Sequence, residues 1–226
     1  MGQHILPGNP PIAVTLRRSA QARRISLRVS ALDGRVTLTL PKGLPEREAL
    51  DFARSKQDWL AGHLADRAPE VTLAPGASLP VEGRMLRLEA GIGRRVTSSG
   101  DTLLVPGGNP ARLQAWLKTL ARDRLASASD RYAAALGRPY ARITLRDTRS
   151  RWGSCSSTAG LSYSWRLIMA PPEVLEYVAA HEVAHLEQMN HSSAFWAIVA
   201  RLMPDYQTHR DWLRRSGTAL HRYRFD

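Results

Sequence analysis

The chain reads as an α+β protein, a β-rich N-terminal part followed by a C-terminal part of a small sheet and helices. Three observations predict this. Alternating apolar residues mark short strands before residue 45 and again between 78 and 106. Helical periodicity governs the longer runs 46–67, 110–136 and 172–216. Between the last two lie three more short β-rich runs, too few for a regular βαβ succession.

Taken in order, AVTLR, RISLRVS and RVTLTLP alternate as half-buried strands, and Asp33-Gly34 after Ala31-Leu32 signals a hairpin between the last two. Pro45 suits the start of an amphipathic helix, Glu46 to about Arg67, with Leu50, Phe52, Ala53, Trp59, Leu60 and Leu64 available for packing. SLPVEGRMLRLEAG and RRVTSSGDTLLVPGG follow as two small hairpins, turning near Glu82-Gly83 and Ser99-Gly100. An Ala-, Leu- and Arg-rich helix spans Pro110 to about Leu136. Short strands are expected at Ile143–Arg146, Trp152–Ser156 and Leu161–Trp165, then helices at about Pro172–Gln188, Ser193–Met203 and Tyr206–Ser216. Pro and Gly accumulate in RAPEVTLAPGA, Arg67 to Ala77, so the domain boundary is placed there: 1–70, β-rich with one helix, and 71–226, the helical remainder with its small sheets.

Composition narrows the class. A hydrophobic fraction of 43% suits a globular chain. The single cysteine, Cys155, excludes an internal disulfide. MGQHILPGNPPIAVTL has neither the basic start nor the apolar run of a secretory leader, Leu6 breaks a myristoylation pattern, and no apolar run approaches a membrane span. A soluble, cytoplasmic protein without membrane contact is expected. Net charge is +12, and 29 of the 32 basic residues are Arg. Most of this charge is spread as a solvated surface. Two concentrations stand out: Arg17, Arg18, Arg23, Arg24 and Arg28 with no acid between them, and Arg142, Arg146, Arg149 and Arg151. Non-specific, electrostatic nucleic-acid binding is therefore carried as a partner expectation.

The stretch HEVAHLEQMNH, His181 to His191, holds three of the seven histidines. With seven His and nine Glu in 226 residues, chance would give His-Glu-x-x-His roughly 0.009 times per shuffled chain. Histidines four apart on a helix lie about 40° apart around its axis, so His181 and His185 can reach one ion. Glu182 can then address a water on that ion without displacing it. A third ligand requires a turn, with Asn190 as a left-handed helix terminator and Ser192 or Ser193 capping the next helix. That turn would return His191 to the metal; the spacing matches the metzincins, with Gln188 where they carry Gly. A downstream acid is the other option, Asp205 or Asp211. Three neutral His ligands leave a fourth position open, the pattern of a catalytic zinc, one per chain. Glu182 is the expected general base, and Arg151, Tyr206 and His209 are candidate oxyanion or substrate-binding groups. Trp152, Trp165, Phe195 and Trp196 read as core, Cys155 as a small filler, and Trp152–Ser156 as an edge that could receive an extended peptide. Arg149, Arg151 and Arg166 would bind a substrate anion or pair with Asp147 or Glu173.

The run from Arg146 to Val199 resembles the YgjP-like metallopeptidase family, through Arg151-Trp-Gly-Ser-Cys-Ser-Ser157, Trp165-Arg-Leu-Ile168, Pro171-Pro172, Tyr177-Val178, the histidine motif, Asn190-His191-Ser192 and Phe195-Trp196. The resemblance is specific over about 140–216 and looser before it. It implies a zincin-like metallopeptidase domain with His181, His185 and His191 as metal ligands and Glu182 as catalytic residue, related to SprT-like and WLM zinc proteases that act near DNA. A zinc metallopeptidase acting on peptides or unfolded protein is the leading function. The alternatives are a metal-dependent nucleotide pyrophosphohydrolase, disfavoured by the absence of carboxylate clusters, and a protease acting on nucleic-acid-bound proteins. Oligomeric state is not legible.

Overall fold

The structure is a computed structural model that describes residues 2–30, 33–65 and 69–225. The chain divides into two compact units, Met1–Pro69 and Glu70–Asp226. Among the described residues no helix is long and apolar enough to cross a membrane.

The first unit is a four-stranded sheet with two helices. Its strands are β1 (Gly2–Leu6), β2 (Ile12–Ser19), β3 (Ser26–Val29) and β4 (Val36–Pro41), ordered β1-β2-β4-β3, with β2 and β4 parallel and both outer pairs antiparallel. Alternation sends Ile12, Val14 and Leu16 and then Val36, Leu38 and Leu40 to one face. That face packs on Ala49, Ala53 and Leu60 of helices α1 (Glu46–Ser55) and α2 (Gln57–Ala65). The single helix expected here is broken at Lys56, whose amide turns back to Ala53 and Arg54 carbonyls. Its expected end at Arg67, like Ala31-Leu32 of the expected hairpin turn, lies outside the described residues. The break also changes what is buried: Leu60 is inside, whereas Trp59 is 43% exposed and its ring lies on His63. Of the five N-terminal arginines, all exposed, Arg18 is committed locally, donating to the carbonyls of Lys42 and Leu44 at 3.1 and 2.8 Å.

In the second unit, β5 (Val71–Thr72) precedes the two hairpins β6 (Ser78–Val81) with β7 (Arg84–Gly91) and β8 (Thr97–Ser99) with β9 (Thr102–Pro106). The first turns through Glu82 at φ 49° and Gly83 at φ 78°, the double positive φ of a type I′ turn. The hairpins join into one sheet, β6-β7-β9-β8, through a parallel β7–β9 pair. Helix α3 (Pro110–Leu136) has both ends written in sequence: Asn109 accepts from the Ala111 amide, proline opens the first turn, and Gly137 closes it in the left-handed region. Strands β10 (Arg142–Arg146), β11 (Gly153–Cys155) and β12 (Gly160–Ser164) form a second sheet in the order β10-β12-β11, so β11 is an edge. A 3-10 turn at Trp165–Met169 leads into α4 (Pro172–Ala184), α5 (Ser193–Leu202) and α6 (Tyr206–Ser216). A second 3-10 turn, Gly217–Arg222, then delivers β13 (Tyr223–Arg224) to β5, a parallel two-residue pairing.

Arg166 ties that C-terminal segment down. Its guanidinium, 9% exposed, donates to Asp147 Oδ1 and Oδ2 at 2.6 and 3.2 Å and to the carbonyls of Leu220 and Tyr223, both at 3.1 Å. It also lies over the Trp165 ring at 4.8 Å. The alternative partner for Arg166, Glu173, is not used. Burial raises the Asp147 carboxyl, but hydrogen bonds and charge from Arg166 outweigh it and hold the group below its ordinary value. A lowered carboxylate contributes stability above its unfolded value and loses it as pH falls through the folded one. Arg166→Ala is expected to cost roughly 3 kcal/mol by urea denaturation. The deficit of Asp147→Asn relative to the parent chain should shrink below the normal carboxylate range; a deficit independent of pH would show the ion pair to be irrelevant.

Candidate active site

Helix α4 starts where Pro171 and Pro172 set its first turn, with Glu173 at the positive end. Nine of its thirteen residues are buried, so any polar residue it carries must find a partner inside the protein. It ends at Ala184, a turn earlier than its periodicity suggests. His185 is the C-cap, and the amides of Leu186 and Glu187 close onto Val183 and Ala184 carbonyls at 2.9 and 3.1 Å. Asn190 is not left-handed: outside glycine, positive φ among the described residues is confined to Glu82 and Ala159. Its Oδ1 instead accepts from the Ser192 amide at 3.1 Å, and Ser192 Oγ accepts from the Phe195 amide at 3.4 Å to cap α5. These two short turns bring His191 back over the end of α4.

The three imidazoles meet there. Their ring centroids are 5.0, 5.1 and 4.8 Å apart pairwise, and one nitrogen from each lies within 4.8 Å of the others. Nε2 of His191 is 3.1 Å from Nε2 of His181. Nδ1 of His185 is 2.8 Å from the Gln188 carbonyl, which can only accept, so Nδ1 holds the proton and Nε2 keeps a lone pair. Burial, followed by the charges of His185, His191 and Arg210, pushes His181 down to about 3, so its ring is neutral near pH 7. Among the described residues its Nδ1 is buried without a hydrogen-bond partner. Three imidazoles turned on one another, with no acid in the group, form a donor set for a borderline divalent cation, and these residues fit one.

Glu182 and the three histidines line one cavity of about 390 Å³, together with Arg151, Gly153 and Tyr177. Burial pushes the Glu182 carboxyl up to about 8, with Arg151 opposing. Strand β11 passes so close that a Cβ on Gly153 would stand 2.5 Å from Glu182 Oε1 and 2.6 Å from its Cγ. Glycine is required by that approach.

Of the other residues singled out in the sequence, the structure brings Arg151 to the cavity and leaves Tyr206 and His209 off its lining. Tyr206 is stacked between Tyr177 and Trp196, with centroids 6.4 and 5.4 Å away. His209 Nε2 is 3.0 Å from the Asp205 carboxylate, and Asp211 lies 4.0 Å from Arg214. Tyr177 escapes a reading that looks only for ligands. It lies one turn before His181 on the same helix face, its hydroxyl makes no hydrogen bond among the described residues, and burial raises it to about 12 against the charge of Arg210. Gly153 escapes such a reading too, since nothing in its local sequence announces an approach to Glu182.

A small mixed sheet whose edge lies on a buried helix, with His-Glu-x-x-His on that helix and a third His on the turn after it, defines a zincin-like metallopeptidase. The chain belongs to the YgjP-like family, since the family model described as YgjP-like, metallopeptidase domain matches residues 23–216. It is accordingly a metal-dependent peptidase by family. No curated protein matches it. Among solved structures, the crystal structure of the metallopeptidase zymogen of Pyrococcus abyssi abylysin is similar at 22% identity, covering 44% of this chain and 97% of that one, with a TM-score of 0.37.

Because the Gly153 contact is with a buried carboxylate, Gly153→Ala is expected to overpack it and cost about 1–3 kcal/mol. In a Glu182→Ala background the same change should cost almost nothing, as a double-mutant cycle of denaturation measurements would show. Additive penalties would mean the two residues are not coupled.

Proposed function

We propose that the chain is a zinc-dependent peptidase in which His181, His185 and His191 hold one zinc and Glu182 is the general base. The convergence of three imidazoles beside a buried glutamate carries this reading. Zinc held by three histidines supplies a Lewis acid with an open position, acidifying water and polarising a carbonyl. Glu182 takes the proton from the attacking water at a carboxylate oxygen and returns it to the leaving nitrogen. Gly153 lets β11 hold that carboxylate in place from the other side. The Tyr177 hydroxyl, kept protonated, donates to the oxyanion as it develops, and Arg151 adds positive charge at the same cavity. The edge strand β11 lines the cavity and receives the substrate in extended form. Substrates are peptides or unfolded protein, and a single thiol suits a reducing, cytoplasmic setting.

Protein purified without chelator is expected to contain about one equivalent of zinc, and the His181→Ala/His185→Ala variant close to none, by elemental analysis. Equal zinc in both would remove the site. Glu182→Gln keeps the shape of the side chain but cannot accept a proton. It should retain zinc and lose about 10²–10⁴ in hydrolysis rate, measured on unfolded protein and peptides with nucleoside triphosphates in parallel. Near-parent peptide hydrolysis would place the base elsewhere, and turnover of triphosphates alone would favour pyrophosphohydrolysis.

A further inference from the structure

The three-stranded sheet has a second face that the reaction leaves unused. Strand alternation turns Ile143 and Leu145 of β10 and Leu161 and Tyr163 of β12 toward the core. Arg142, Thr144 and Arg146 therefore share the opposite face, where the register sets Thr144 beside Ser162 and Ser162 beside Ser154. These side chains line a polar hollow of about 580 Å³. It shares Arg151, Gly153, Ser154 and Cys155 with the peptidase cavity, so the two adjoin along β11. At the far end it shares Arg146 with a further hollow of about 370 Å³ that holds Lys118 and Arg122.

The charge along this path is unbalanced. Among the described residues no carboxylate lies within ion-pair distance of Arg122, Arg142, Arg146 or Arg151, whereas Arg124, Arg131 and Arg138 of the same unit each have one. Among the described residues the one acid lining these two polar hollows, Asp147, is bonded to Arg166. Clustered cations repel, and a concave surface with low-dielectric walls focuses their field on whatever enters it. Guanidinium groups fit carboxylates as paired donors, and the serine and threonine hydroxyls add further donors. The hollow has no aromatic side chain on which a base could stack. At about 3.4 Å per residue, Arg142 and Arg146 stand about 14 Å apart, the span of four residues of an extended peptide.

We propose that this face binds acidic side chains of an extended peptide substrate, so that the enzyme prefers sequences with Asp or Glu clustered to one side of the bond it cuts. The proposal rests on the peptidase reading for its meaning, but not for its test. Two labelled peptides of equal length, one with Glu outside the central segment and one with Gln in its place, are titrated against the full chain carrying Glu182→Gln. Fluorescence anisotropy at low and high salt reads binding, and the parent chain is assayed for hydrolysis of both. The acidic peptide should bind on the order of tenfold more tightly at low salt, less so at high salt. Arg142→Gln/Arg146→Gln should remove the advantage, with circular dichroism as the fold check, and Arg142→Lys/Arg146→Lys should keep most of it. Equal binding of the two peptides, or an advantage untouched by the Gln variant, overturns the proposal. So does an oligonucleotide that binds more tightly than the acidic peptide and depends on the same two arginines, which would assign the face to nucleic acid. A binding preference without any hydrolysis by the parent chain would count against the peptidase reading and leave the acid-binding face standing.

Discussion

The ring of Phe195 packs against all three imidazoles, its centroid 4.4 Å from that of His185, 4.8 Å from His191 and 4.9 Å from His181. It is fully buried, so it gives three polar rings an apolar floor and leaves their edges to face one another. That contact depends on α5 starting where it does, and hence on Ser192 capping it and Asn190 turning the chain just before. The early end of α4 belongs to the same constraint. Had the helix run on to Gln188, the Gln188 carbonyl would not have turned back to the His185 ring.

A second constraint comes from the opposite side. Helix α4 is buried on most of its surface, yet it carries a carboxylate that is 5% exposed. Burial of such a group is costly without a partner, and among the described residues it has no salt bridge. The protein offers close packing by β11, made possible by Gly153, and the more distant charge of Arg151. Burial raises the carboxyl to about 8, with the charge of Arg151 opposing. Beside the cavity the rings of Tyr177, Tyr206 and Trp196 stack in turn, with Arg210 4.5 Å over the Trp196 ring.

Local signals account for most of the elements. The alternation Ile12, Val14, Leu16 marks β2, and Asn109, Pro110 and Gly137 mark both ends of α3, because propensity and capping act within a few residues. What depends on distant partners was not legible. Strand β1 is short and lacks clear alternation, with Ile5 exposed beside Gln3, and it is a strand only because β2 pairs with it. The two-residue strands β5 and β13 lie more than a hundred residues apart and exist through each other. The break at Lys56 changes which aromatic residue is exposed without any Gly or Pro to announce it.

By itself, the sequence determined the chemistry on offer: spacing of four along a helix puts His181, Glu182 and His185 together, while the third group stayed open between His191 and a downstream acid. It also determined the α+β class, since hydrophobic period is a local property. Only the tertiary structure decided which neighbours complete the site. Tyr206, His209 and Tyr177 are equally eligible by residue type, and packing turns the first into a stack, pairs the second with Asp205, and leaves the third on the cavity. Gly153 and Arg151 reach the same cavity through strand order, and strand order is set by which edges pair and which faces are buried across the whole unit, something no local run of residues encodes.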